Sequence, residues 1–155
     1  DFPYVERRPA MLWGWHRAHA LISTVAWGSV ERPGLILTLL RGGACLGMAF
    51  RVAPGNWRQT RAYLRLREVA YRHVWVGVDT PNGKIKALTF TADPSNGRYI
   101  GKQPIERGAL MVAQGKGGKG TSRDYLAGTI AAVQAMGGQP EPSLLRLQAV
   151  IRRFK

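Results

Sequence analysis

Apolar positions fall in short unbroken runs through the first half of the chain and at helical spacing through the second. Residues 20–25 (Ala-Leu-Ile-Ser-Thr-Val), 35–40 (Leu-Ile-Leu-Thr-Leu-Leu) and 46–52 (Leu-Gly-Met-Ala-Phe-Arg-Val) predict strands. Gly28 and the turn-forming Arg32-Pro33-Gly34 close the first of them, and Gly42-Gly43 between the other two predicts a hairpin. Residues 74–78 and 85–91 flank Pro81-Asn82-Gly83, a second and stronger hairpin signal. Between the two pairs, Pro54-Gly55 opens a helix expected over residues 57–71, since Pro is tolerated in a first turn. A helix over 104–114 follows and ends at a glycine-rich stretch. Thr121 or Ser122 caps the next helix, with Asp124 completing a capping box, and its apolar face runs Tyr125, Ile130, Val133 and Met136 to Gly137-Gly138. Ser143 caps a last helix over 144–154, with Leu144, Leu147 and Ile151 inward and Arg146, Arg152 and Arg153 outward. Strands followed by helices, with no repeat or linker, predict one α+β domain spanning 1–155.

Composition narrows the setting. A single cysteine, Cys45, leaves no internal disulfide and suits a reducing, cytoplasmic compartment. No apolar run approaches a membrane span and no signal peptide is visible, so no membrane partner is expected. Twenty-three Lys and Arg against nine Asp and Glu give a net charge of +14. Such a field attracts nucleic acid, or a small substrate carrying two carboxylates. The charges are scattered, and no helix-turn-helix, zinc-finger or ribonucleoprotein signature accompanies them. A basic nucleic-acid-binding module is therefore the competing reading.

With carboxylates so few, the position of Glu68 stands out. It shares the predicted helical face of Trp57, Leu64 and Tyr71, in a segment crowded with arginines. An apolar stripe and a helix C-terminus both oppose a negative charge, the setting in which a carboxyl is tuned to act as a general base. The plainer alternative is a surface ion pair with Arg65, Arg67 or Arg72. The stretch 115–121 lacks the Gly-Lys-Ser/Thr ending of a phosphate-binding loop, leaving a flexible basic loop that could cradle an anion at a helix start. His16, His19, His73 and Cys45 have no metal-ligand spacing, so no metal is expected. Cys45 reads as a small core residue rather than a nucleophile, and no Gly-x-Ser-x-Gly elbow anchors a serine triad.

Several short motifs occur in one order: Asp1-Phe2-Pro3-Tyr4, Gly14-Trp15-His16-Arg17-Ala18, Ser23-Thr24, Glu31-Arg32-Pro33-Gly34, Tyr63-Leu64-x-x-Arg67-Glu68 and Ser122-Arg123-Asp124-Tyr125-Leu126. Together they resemble the ChaC-like, glutathione-specific gamma-glutamylcyclotransferase family over nearly the whole chain. The resemblance implies a small mixed β-barrel with packed helices, cleavage of glutathione or another γ-glutamyl compound to 5-oxoproline, no cofactor, and Glu68 as the catalytic acid/base. Tyr125 is a candidate contact for the glutamyl end of the substrate, its alternative being a core aromatic with its hydroxyl on backbone. Arg72 is a candidate for a substrate carboxylate, its alternatives a surface cation or a partner of Glu68. Ser23, within the Ser-Thr motif, is a third candidate. The family's Tyr-Gly-Ser-Leu substrate loop lies about ten residues before its Asp-Phe-Pro segment and has no counterpart from Asp1 onward. The expectation is thus a domain truncated at its N-terminus, lacking the first strand and the loop amides. A non-catalytic interaction domain is the other reading of that departure.

Overall fold

The computed structural model describes residues 1–154. Its frame is an antiparallel ribbon of two 18-residue strands, β1 (Glu6–Ser23) and β2 (Gly34–Arg51). Trp13 pairs with Ala44 and Trp15 with Arg41, so Gly14 on β1 faces Gly42-Gly43 on β2. All three glycines have positive φ (81°, 98° and 71°), open to glycine at little cost. The double glycine is therefore a bulge inside one strand and not the predicted hairpin turn, because β1 is long enough to pair with both apolar runs of β2. The bulge also moves the inward register of β1 from Ala10 and Leu12 to Trp15. A second irregularity, at Ala20 between the His19–Leu37 and Leu21–Ile36 pairs, bends the ribbon again.

Helix α1 (Pro54–Arg67) follows, with its proline in the first turn as expected. It ends four residues before the predicted limit: Glu68 is the C-cap, at φ −104° and ψ 39°. Tyr71 opens β3 (Tyr71–Thr80), so the apolar stripe ends at Leu64 and the shared helical face of Glu68 and Tyr71 does not exist. β3 turns through Pro81-Asn82 into β4 (Gly83–Ala92), as the hairpin signal requires. Thr80 Oγ1 donates to the Gly83 carbonyl at 2.7 Å and accepts from Asn82 N–H at 3.2 Å. The four strands form one sheet in the order β2-β1-β3-β4. The α+β class holds, but the closed barrel implied by the resemblance is not found among the described residues. β2 and β4 are the two edges of an open sheet that curls without joining them.

The second half is helical: α2 (Ile105–Gln114), the two-residue strands β5 (Lys116–Gly117) and β6 (Gly120–Thr121), α3 (Ser122–Ala135) and α4 (Pro142–Ile151). The capping box of Thr121 and Asp124 is present. Ser143 does not cap α4; Pro142 starts that helix with Glu141 at the N-cap, two residues earlier than the serine signal suggested. The glycine-rich stretch is neither loose nor open to an anion. Gly118 and Lys119 donate their N–H groups to the carbonyls of Val25 and Ala26, both at 2.8 Å. A Cβ on Gly117 would lie 2.5 Å from the Val25 oxygen, so these glycines permit close backbone approach.

Two cores result. One gathers Leu35 with Val112, Leu126, Ile130, Leu144 and Leu147 where the helices cover one end of the ribbon. The other lies inside the curl, around Leu12, Trp15, Cys45 and Val78. Ser122 joins β2 to α3: its buried Oγ accepts from Leu35 N–H at 3.1 Å and donates to Leu35 C=O at 2.9 Å. Beside it on the ribbon, His19 is buried with no hydrogen-bond partner on either ring nitrogen.

Ser122→Ala removes both partners of the Leu35 backbone at once. The expected loss is about 1–3 kcal/mol for each buried group left unmade, read as a lower urea midpoint with an unchanged m-value. For His19, burial lowers the pKa from 6.5 to about 4. The unfolded chain therefore takes up a proton in this interval and the folded one does not. Stability present above pH 6.5 is expected to fall by about 3 kcal/mol as pH drops toward 4. His19→Phe should flatten that part of the stability–pH curve in urea titrations; an unchanged curve would assign the acid sensitivity elsewhere.

Candidate active site

The curl of the sheet and helix α1 enclose a cleft of about 830 Å³. Its walls are mainly apolar, including Leu12, Leu39, Trp57, Trp75 and Phe90, and Arg17, Arg67 and Glu68 bring charge to it. Glu68 reaches the cleft because α1 stops just before it. Its N–H donates to the Leu64 carbonyl at 2.9 Å as the last helical bond. Its own carbonyl accepts from Tyr71 N–H at 3.2 Å and from His73 Nε2 at 3.1 Å. The Glu68 side chain is 18% exposed, with Oε1 3.1 Å from Nε of Arg67, itself 49% exposed. Of the three arginines that were candidates for its partner, Arg67 is the one that pairs. A carboxylate held at an apolar wall beside one half-exposed cation has the makings of a proton acceptor and donor.

The other predicted positions divide. Tyr125 on α3 is packed against Trp27 at 5.2 Å and His19 at 6.1 Å between ring centroids, and its hydroxyl accepts from Leu37 N–H at 3.4 Å. Burial raises its pKa, the charge of Glu68 acts in the same direction, and the Leu37 N–H opposes them. Arg72 points away from this centre. β3 alternates sides, leaving Arg72 exposed and paired with Asp93 at 3.2 Å rather than with Glu68. Ser23 is buried, and its Oγ accepts from Trp27 N–H at 3.0 Å, fixing the turn that follows β1. The structure therefore brings Glu68 and Tyr125 into one electrostatic neighbourhood, with Ser23 behind Trp27 and Arg72 outside the cleft wall.

Two residues escaped the sequence reading. Tyr71 donates its hydroxyl to the Leu37 carbonyl at 2.9 Å, and burial, Tyr125 and Glu68 all push its pKa up. Both tyrosines thus stay neutral phenols, one on each backbone polar group of Leu37. The spacing of Tyr71 from Glu68 was the available signal, hidden once Tyr71 was assigned to the helix. His73 is the second, through its bond to Glu68. The histidines do not gather: Nδ1 of His16 bonds the Gly42 carbonyl, and His19 is enclosed against Tyr125. Cys45 is a buried core residue, its thiol pKa raised first by burial. Among the described residues no group of three His, Cys, Asp or Glu could hold a metal, and no helix is long and apolar enough to cross a membrane.

Comparison with known proteins adds to this geometry. The chain is 31% identical over 127 residues to a glutathione-specific gamma-glutamylcyclotransferase of Escherichia coli (strain K12), covering 79% of this chain and 55% of that protein. It is 28% identical over 159 residues to glutathione-specific gamma-glutamylcyclotransferase 1 of Mus musculus, covering 97% and 70%. The chain thus spans little more than half the length of the bacterial relative. The crystal structure of a glutathione-specific gamma-glutamylcyclotransferase from yeast superimposes with a TM-score of 0.87 at 20% identity, over 98% of this chain and 90% of that one, which establishes the shared fold. The ChaC-like protein family matches residues 1–154. With that pattern running through all the described residues, the chain belongs to the ChaC-like family.

Proposed function

We propose that this protein is a gamma-glutamylcyclotransferase that cleaves glutathione to 5-oxoproline and cysteinylglycine, with Glu68 as general acid/base. The observation that carries the reading is the placement of the Glu68 carboxylate: just past the end of α1, on the wall of an apolar cleft, beside an arginine that is half exposed. The activities named for the bacterial and mouse relatives support the substrate.

The reaction is an intramolecular aminolysis. The γ-glutamyl α-amine attacks the γ-carbonyl, a new C–N bond closes the five-membered lactam, and the amide bond to cysteine breaks. Glu68 takes the proton released by the amine and returns it to the departing nitrogen, so no net proton is consumed. The cleft holds the glutamyl chain folded, which supplies the proximity term. Tyr125 does not line the cleft; its neutral phenol, held on Leu37 N–H, lies behind the wall within the field of Glu68. Ser23 serves it indirectly, holding Trp27 against the Tyr125 ring. Arg72 acts outside the cleft, where its pairing with Asp93 leaves it in the positive field and not at the reacting atoms. Arg8, Arg17, Arg51, Arg67 and Lys86 line the cleft against Glu6 and Glu68, a balance that draws in an anionic peptide. A nucleic-acid module or a non-catalytic domain would leave the buried approach of Glu68 to this cleft without a use. Cys45, a free buried thiol, supports a reducing cytoplasmic setting.

Glu68→Gln preserves size and should leave the circular dichroism spectrum unchanged. Release of cysteinylglycine from glutathione by the full-length protein is expected to fall at least about 10²-fold, as for loss of a general base. Turnover close to that of the unsubstituted protein would remove Glu68 from the mechanism and the reading with it.

A further inference from the structure

We infer that His73 is a positioning residue for Glu68, acting through the main chain; the inference rests on the catalytic role proposed for Glu68. Glu68 is the first residue that α1 no longer holds, with φ −104° and ψ 39° outside the helical basin. Past its last helical bond, the orientation of its Cα–Cβ vector depends on what grips its carbonyl. Two donors do so, both from the start of β3: Tyr71 N–H at 3.2 Å and His73 Nε2 at 3.1 Å. A carbonyl only accepts, so Nε2 of His73 carries the proton in this contact.

His73 is itself held. Its ring stands edge-on to Phe90 at 4.9 Å and 80°, and Phe90 lines the same cleft as Glu68. Residues 71 and 73 lie on one side of β3, while Arg72 between them is turned outward. Alternation along three residues thus sends Tyr71 to Leu37, Arg72 to Asp93 and His73 to Glu68. The carboxylate has one ion-pair partner, the half-exposed Arg67, which is the residue just before it and so does not fix the main chain from which Glu68 projects. The main-chain clamp therefore sets where the base points. A displacement of about 1 Å at a reacting group can cost up to about 10²-fold in rate, so a lost clamp should be visible in turnover.

Two variants separate this role from packing alone. His73→Leu removes the donor and keeps an apolar side chain against Phe90, whereas His73→Gln keeps an N–H donor near the place of Nε2. In the full-length protein, His73→Leu is expected to lower kcat for glutathione about tenfold with KM held within about twofold, and His73→Gln to recover most of the loss. Amide hydrogen exchange at Tyr71, whose N–H shares the Glu68 carbonyl, is read on the same samples without any substrate. It should quicken in the Leu variant and stay close to the unsubstituted rate in the Gln variant. Unchanged kcat in His73→Leu, equal losses in both variants, or unchanged Tyr71 exchange in His73→Leu would each overturn the inference. Exchange reports the clamp whether or not Glu68 is the base. A glutathione-active Glu68→Gln protein with normal exchange effects would therefore sink the proposed mechanism while leaving the clamp in place.

Discussion

The pairing of β1 with β2 is the constraint on which the rest of this structure depends. Eighteen residues on each side form one ribbon, and its two irregularities decide its shape. Gly14 against Gly42-Gly43 resets which side chains face inward, so Leu12 and Trp15 enter the same core although they lie an odd three positions apart. The second irregularity, at Ala20, lies where the ribbon passes beneath the helices. A straight ribbon with the same sequence would put half of these apolar residues into water. The curl that follows creates the cleft, and helix α1 lies across it because Thr60 and Leu64 are the residues it buries.

The backbone of β2 must also be satisfied along its outer edge, and side chains from later in the chain do this. Ser122 serves both polar groups of Leu35, and Tyr125 and Tyr71 serve the N–H and the carbonyl of Leu37. The capping box at Thr121 and Asp124 sets where α3 begins, and with it the positions of Ser122 and Tyr125 one turn apart. A local signal thereby delivers a long-range contact. The edge that would otherwise be open to a foreign strand is instead tied to the neighbourhood of Glu68.

The polar groups inside the fold are not all matched. Arg17 pairs with Glu141 at 2.7 Å, both largely buried, and also donates to the Leu46 carbonyl, linking the start of α4 to the ribbon. Such a pair contributes little net stability after desolvation, but loss of one partner strands the other. Oε2 of Glu141, Oγ1 of Thr38 and Thr60, and both nitrogens of His19 are buried without protein partners. His19 is the most exacting of these, since it must remain neutral for the ribbon to stay packed against Tyr125.

Signals carried by a few neighbouring residues were legible in the sequence. The Pro81-Asn82 turn, the proline start of α1, the capping box of α3 and the inward stripe Leu144, Leu147, Ile151 each rest on local backbone chemistry, and each stands in the structure. Six short motifs in one order, from Asp1-Phe2-Pro3-Tyr4 to Ser122-Arg123-Asp124-Tyr125-Leu126, were enough to place the chain in its family. What needed the tertiary structure was every decision between two locally permitted states. Gly42-Gly43 suits a hairpin turn or a bulge equally well, and only the length of β1 opposite selects the bulge. Tyr71 fits a helical stripe or a strand, and the pairing of β3 with β4 decides for the strand. Glu68 had three arginines in reach along the chain, and the end of α1 at Arg67 leaves it one. The glycines at 115–120 look mobile by composition, yet the turn at Val25 and Ala26 packs against them and takes up their amides. Local propensity specifies which conformations a segment can adopt; which one it keeps is set by the partner strand or helix that buries it.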